Sequence, residues 1–306
     1  MSNQLPTDYQ SFIHKSRYAK YFDGKGRESW GDTVSRLMAF IDRPELDTKT
    51  KNQLEQAILG LEVMPSMRAL MTSGPAASRD NTCMYNCSFL PVDDLKSFDE
   101  AMFILLCGTG VGFSVERQFI TKLPDVPQLF QSETNIVVRD SKEGWAKSLR
   151  QLIALLYAGE IPTWDVSKVR PSGAPLKTFG GRASGPAPLV DLFNFTVNAF
   201  KKSEGRKLSS IECHDIMCKI GEVVVVGGVR RSAMISLSNL SDDRMRTAKS
   251  GSWWENNPQR ALANNSVSYT EKPDSLSFMR EWMSLVESGS GERGIFNREA
   301  SKKQAA

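Results

Sequence analysis

The chain has 306 residues, of which 40% are hydrophobic and 24% charged, and its formal net charge is +4. These are the proportions of an ordinary soluble globular protein with one or two domains' worth of core. The mild positive balance suits small anions such as nucleotides and does not call for a nucleic-acid polymer, which usually leaves a clustered basic stripe.

No apolar run approaches the length of a membrane span, and the polar start "MSNQLPTDYQ" is unlike a signal peptide. Five cysteines, an odd number, do not make a secreted disulfide scaffold, so a reducing cytoplasm is the expected setting.

In chain order, "WGDTVSRLMAFID" places Val34, Leu37, Met38 and Ile41 on one helical face, with Asp32 as its expected cap. "LDTKTKNQLEQAILGLE" repeats the pattern with Leu54, Ile58 and Leu61. Residues 1–63 therefore read as an N-terminal helical lobe, and 64–306 as a region of different character. There "NTCMYNCSFL" at 81–90 holds Cys83 and Cys87 in what reads as a strand, with "MYNCSFLPV" as its core, "DDLKSFDEAMFILLCG" predicts a helix and "VGFSV" a strand. "SKEGWAKSLRQLIALLYAG", "GPAPLVDLFNFTVNAFKK" and "SSIECHDIMCKIGEVVVVGG" predict three helices. "RSAMISLSN" alternates Ala233, Ile235 and Leu237 against serines, the pattern of a half-exposed strand. "ANNSVSY" predicts a further strand, "DSLSFMREWMSLVESG" a helix ending at Gly289, and "ERGIFNREASKKQAA" runs toward another helix. Strands alternating with helices imply an α/β core.

Several motifs have two readings. "CGTGVG" at 107–112 is a tight helix-to-strand turn or a close approach to a ligand; it is no dinucleotide fingerprint, because the helix precedes the glycines. "TFGGRASGPAPL" at 178–189 is a plain loop or an anion site before a helix start. "VVVVGGVRRSAM" at 223–234 carries Arg230 and Arg231 after a glycine pair, as solvated side chains or as forks for phosphate or a base edge. Cys213, His214 and Cys218 share a predicted helix, but zinc wants four ligands; buried thiols and an ordinary histidine are the better account, and no metal site is assigned. Asn264 and Asn265 mark a turn or a hydrogen-bonding position.

Taken together, "MPSMRALMTSG", "YNCSFLPV", "CGTGVGFSVER", "DSKEGWAKSL", "VRPSGAPLKTFGGRASGPAPL", "VGGVRRSAMISLS", "ANNSVSY" and "GERGIFN" resemble, in order, the catalytic subunit of adenosylcobalamin-dependent (class II) ribonucleotide reductases over about residues 60–300. The resemblance implies the first half of a ten-stranded α/β barrel and the reduction of ribonucleotides by thiyl-radical chemistry. By the same resemblance, Cys87 in "NCSF" is the first reducing cysteine, with Ser88, Thr109 and Gly110 against the substrate. Gly227, Gly228, Val229, Arg230, Arg231 and Ser232 match the loop that carries information from a dNTP or ATP effector to the substrate base. Asp93 or Asp94 falls where related enzymes hold the effector ribose, and Cys83 has no assigned role.

The family's N-P-C-x-E finger loop, second reducing cysteine, later strands and carboxy-terminal cysteine pair are absent from this sequence. The resemblance thus implies about half a reductase. It would need a separately encoded C-terminal portion to complete adenosylcobalamin binding, and a thioredoxin-like reductant. A truncated gene is a further account of the missing half. A non-catalytic nucleotide-binding module and an iron-dependent reductase are the competing functional readings. An isolated half-barrel is also expected to self-associate, a homodimer being one form.

Overall fold

A computed structural model describes residues 5–22, 24, 26–174, 182–226 and 234–305. The chain forms two compact units, Met1–Asn86 and Cys87–Ala306, so the division falls further along than the expected limit of the helical lobe at residue 63.

The first unit contains α1 (Asp8–Arg17), the short hairpin β1 (Tyr21–Phe22) and β2 (Gly26–Arg27), α2 (Trp30–Ile41), α3 (Thr48–Leu59), α4 (Met67–Thr72) and α5 (Pro75–Arg79). Helix α2 is capped by Ser29 rather than by Asp32. The Ser29 hydroxyl accepts the Asp32 N–H at 3.2 Å, and the Asp32 carboxylate accepts the Ser29 N–H at 2.9 Å. Asp32 is the third residue of this reciprocal box, which satisfies two otherwise orphaned donors. Trp30, Val34, Leu37, Ile58 and Leu70 make the unit's small apolar core. Cys83 lies in a 3-10 turn, Asn81–Met84, and is buried; the expected strand does not include it.

The second unit begins with β3 (Cys87–Pro91), α6 (Lys96–Leu106), β4 (Gly110–Ser114), α7 (Arg117–Ile120), β5 (Phe130–Val137), α8 (Lys142–Tyr157), β6 (Glu160–Asp165) and α9 (Ala187–Lys201). It continues through α10 (Ser210–Val226), β7 (Met234–Ser238), α11 (Asp243–Arg246), α12 (Trp253–Asn256), β8 (Ala263–Tyr269), α13 (Ser275–Ser288), β9 (Gly294–Asn297) and α14 (Arg298–Ala305). Five strands pair in the order β3-β4-β7-β8-β9, every neighbour parallel, and form an open sheet. Parallel neighbours need long crossovers, and α6, α10 and α13 lie within them. Strands β5 and β6 form a separate parallel pair joined through α8. Among the described residues no helix is long and apolar enough to cross a membrane.

One face of the five-stranded sheet is sealed. Leu90, Val111, Phe113, Met234 and Ala263 share a buried core with Phe98 and Met102 of α6, Leu192 and Phe193 of α9, and Ile216 and Ile220 of α10. Strand β7 departs from the expected half-exposed pattern: Ser236 and Ser238 are buried and Ile235 is exposed. Helix α13 is similarly inverted. Leu276, Met279, Trp282, Met283 and Val286 face solvent, while Glu281 is buried and held by Arg293 at 2.5 Å and Arg246 at 3.0 Å. The helix is thus oriented by a buried ion pair rather than by its apolar stripe.

Candidate functional site

Strand geometry alone places Cys87. Successive side chains alternate between the two faces of a sheet, and Leu90 points into the sealed core, so Cys87 and Phe89 point to the other side. Cys87 is exposed, while Cys83, Cys107, Cys213 and Cys218 are all buried. Phe89 is 54% exposed, and Ile235, on the same face two strands away, is 36% exposed.

Between them β4 presents glycine. Cys87 pairs with Gly110 and Phe89 with Gly112, and Gly112 pairs in turn with Ile235. A Cβ at Gly112 would sit 3.2 Å from Ile235 Cγ2 and 3.3 Å from Phe89 Cδ2, so the two side chains lean over the glycine. At Gly110 the main chain itself is the surface beside the Cys87 thiol, which lets a ligand approach the backbone closely. Ser88 donates its hydroxyl to the Gly110 carbonyl at 3.1 Å, tying the two strands at the level of the thiol. Thr109, next along, is buried. Ahead of it Gly108 adopts φ +81°, the left-handed conformation by which the chain leaves α6 for β4. The "CGTGVG" segment is therefore a helix-to-strand turn whose strand end forms a bare floor. Cys87, Ser88, Thr109 and Gly110 are brought together.

The aspartates are not part of that cluster. About 13 Å of strand separates Cys87 from Pro91 at 3.3 Å per residue, and Asp93 and Asp94 lie beyond it. Asp93 is paired with Lys122 at 2.9 Å, and the Asp94 carboxylate accepts the Lys96 N–H at 2.8 Å. Gly227, Gly228, Val229, Arg230, Arg231 and Ser232 lie outside the described residues, as do residues 178–181 of the glycine-rich segment before Pro186. Met234, just after the arginine loop, pairs with Val111, one residue along β4 from Gly110.

A second polar cluster lies on the sealed side of the sheet. His214 on α10 is fully buried; its Nδ1 is 3.1 Å from Asp215 Oδ1 and its Nε2 is 2.9 Å from Asn265 Oδ1. Both partners are acceptors, so both ring nitrogens donate, which is the imidazolium form. Burial alone would lower the His214 pKa, but the Cys218 sulfur, 3.6 Å from Nε2, and the Asp215 carboxylate outweigh it and raise it to about 10. Arg260 closes the cluster with two contacts of 2.7 Å to Asp215, whose pKa stays low despite burial because Arg260 and His214 donate to it. His214 and Asn265 were each visible in the sequence; the contribution of Arg260 has no local signal, since it comes from a 3-10 turn 45 residues away. Among the described residues no group of three or more His, Cys, Asp or Glu side chains is placed to hold a metal.

The segment 121–200 matches the family described as B12-dependent ribonucleotide reductase, insertion domain. The adenosylcobalamin-dependent ribonucleoside-triphosphate reductase of Lactobacillus delbrueckii subsp. bulgaricus is 30% identical, over 75% of this chain and 41% of that protein. The enzyme of the same name from Lactobacillus gasseri is 27% identical over 94% of this chain and 48% of its own length. A crystal structure of a B12-dependent (class II) ribonucleotide reductase superposes with a TM-score of 0.78 at 24% identity, covering 94% of this chain and 49% of the other. The chain therefore spans somewhat less than half the length of these relatives. By sequence and by fold it belongs to the adenosylcobalamin-dependent, class II ribonucleotide reductase family.

Proposed function

We propose that this chain forms the N-terminal portion of a vitamin B12-dependent ribonucleotide reductase and supplies Cys87 as one of its two reducing thiols. The observation that carries the reading is the thiol of Cys87, exposed on the bare face of a parallel sheet directly beside the side-chain-free backbone of Gly110. Parallel sheets are ordinarily covered on both faces. A bare face carrying a thiol, a glycine floor and the flanking apolar side chains Phe89 and Ile235 is suited to one wall of a pocket that a second polypeptide closes.

The overall step balances as ribonucleotide plus two thiols giving deoxyribonucleotide, one disulfide and water. The 2′ C–O bond breaks, a C–H bond forms, and the two sulfurs lose two electrons as they join. Cys87 provides one sulfur, and the complementing portion provides the other. In this reading Ser88 and Thr109 hold the floor in place while Gly110 admits the sugar, and excluding water from the closed pocket protects the intermediates. A ribonucleoside triphosphate is the substrate to which the relatives' names point, and a thioredoxin-like protein reopens the disulfide. Arg230 and Arg231 relay a dNTP or ATP effector's identity to the substrate base, with Asp93 or Asp94 near the effector ribose.

The relatives' dependence on adenosylcobalamin extends to this chain as the source of radical chemistry. In this reading the exposed Cys87 face borders the corrin site without forming the whole of it. The complementing portion completes it.

Coexpression with a polypeptide carrying the N-P-C-x-E loop is expected to yield deoxynucleotide formation that requires added adenosylcobalamin. Cys87→Ser should abolish turnover with the external reductant. Full activity of that variant in the reconstituted enzyme would remove Cys87 from the chemistry.

A further inference from the structure

The end of α6 meets the start of α8 through a thiol and an amine. Lys142, the first residue of α8, donates from Nζ to the Cys107 sulfur at 3.1 Å. Cys107 is the C-cap of α6 and is fully buried. Lys142 is half-buried, and its ammonium also sits over the Phe103 ring, 4.7 Å from the centroid. The cation–π contact holds the amine over the sulfur. Two other buried thiols have different neighbours. Cys83 lies 3.3 Å from the Asp80 carbonyl and Cys218 lies 3.6 Å from the His214 ring, and neither of those groups is an amine.

A thiol and a primary amine held this close are the two ends of one oxidative cross-link. We propose that Cys107 and Lys142 are a modification site, joined reversibly through one oxygen as Sγ–O–Nζ when the chain meets hydrogen peroxide. Peroxide converts the Cys107 thiol to a sulfenic acid and leaves as water. The Lys142 ammonium gives its extra proton to solvent, and a second peroxide converts the amine to a hydroxylamine, again leaving as water. Condensation of the two groups expels a third water and closes the bridge. Sulfur and nitrogen each lose two electrons, which the two peroxides accept. Geometry favours the inserted oxygen: a direct S–N bond would pull the atoms to little more than half their present separation, whereas one oxygen nearly spans it. The open side of the pair is the lysine's, where a water-sized oxidant can arrive, and burial of the sulfur shields its sulfenic acid from other thiols. The bridge tethers the turn at Gly108, one residue on, to the start of α8, and with it the entry to β4. The inference rests neither on the role of Cys87 nor on the reductase reading.

The test exposes the full chain to hydrogen peroxide and maps its tryptic peptides by mass spectrometry, which keeps oxidation of the exposed Cys87 separate. Peptide 97–117, holding Cys107, is expected to be joined to 140–147, in which the bridge blocks cleavage at Lys142. The linked mass should be one oxygen above and two hydrogens below the sum of the two peptides. Dithiothreitol should release them, its four electrons returning thiol, amine and water. Lys142→Arg keeps the positive charge at a half-buried position, so it should match the parent's thermal midpoint before oxidation and yield no linked peptide. Cys107 recovered unmodified or as a sulfinic acid, while Cys87 in the same sample is oxidised, overturns the bridge. A link from 97–117 to any other lysine, or one that lacks the oxygen, overturns it as well.

Discussion

Each of the two units buries one of the chain's two histidines, and the surroundings hold them in opposite charge states. In the first unit His14 Nε2 lies 2.8 Å from the Thr33 hydroxyl, which donates onward to Glu28 at 3.0 Å. Thr33 thus spends its proton on Glu28, so His14 donates to it and one N–H suffices. Burial lowers the His14 pKa, helped by Lys15 and Arg36 and against the pull of Glu28. In the second unit His214 faces an acceptor at each nitrogen and is driven the other way. Burial alone therefore does not set a histidine's charge; the acceptors and charges within reach can outweigh it. Glu28 shows the same rule for an acid. Burial raises its pKa, but two Arg36 contacts of 2.7 Å, the Lys20 N–H and Thr33 bring it below the usual value.

The sharpest way to break the comparison is to remove a partner on one side. Arg260→Ala leaves Asp215 buried beside His214 without its bidentate donor, and should cost the second unit ~3–5 kcal/mol in urea unfolding. Glu28→Gln, which strips the carboxylate from Arg36 in the first unit, should cost ~2–3 kcal/mol. Selective loss of protection in the matching unit, followed by hydrogen exchange, would sharpen the contrast; equal loss in both would dissolve it.

The pH dependence of the two units should differ in sign. His14 has a folded pKa below 6.5, so its contribution is complete above 6.5 and is lost as pH falls through the folded value. His214 has a folded pKa of about 10, so its contribution is complete below 6.5 and is lost as pH rises through about 10. Exchange protection measured from pH 5 to 10 should therefore fall at the acid end in unit 1 and at the alkaline end in unit 2. Imidazole NMR signals should show His14 neutral and His214 charged at pH 7. The smallest effect is expected at Gly112→Ala. Ile235 and Phe89 are partly exposed and give way, so stability should change by no more than ~1 kcal/mol while the floor beside Cys87 becomes rougher.

Much of this architecture was legible before the structure. The periodicities of α2, α3, α8, α10 and α13 carry their own helices, with Gly289 ending the last, whereas the caps at Asp47 and Ser141 emerged only with the structure. The strands β3, β4, β7 and β8 are short runs between helical patterns, and the resemblance ordered them. Strands β5 and β6 escaped notice because "FQSETNIV" is polar and largely exposed, so its strand character comes from pairing with residues 160–165 rather than from its composition. The serines of β7 misled for the opposite reason. Alternation reports polarity, and a small hydroxyl fits against a packed layer as readily as against water. Cys87 was found by motif; the glycine floor and the leaning Phe89 and Ile235 required the sheet register to appear.

Because Cys87 opens its strand and is joined to Gly110 through main-chain pairing, its sulfur contributes nothing to the ladder that positions it. Durability at that spot is therefore expected to be independent of the thiol: Cys87→Ser should leave the melting behaviour of the scaffold unchanged. A side chain at that position can vary without renegotiating the frame that carries it.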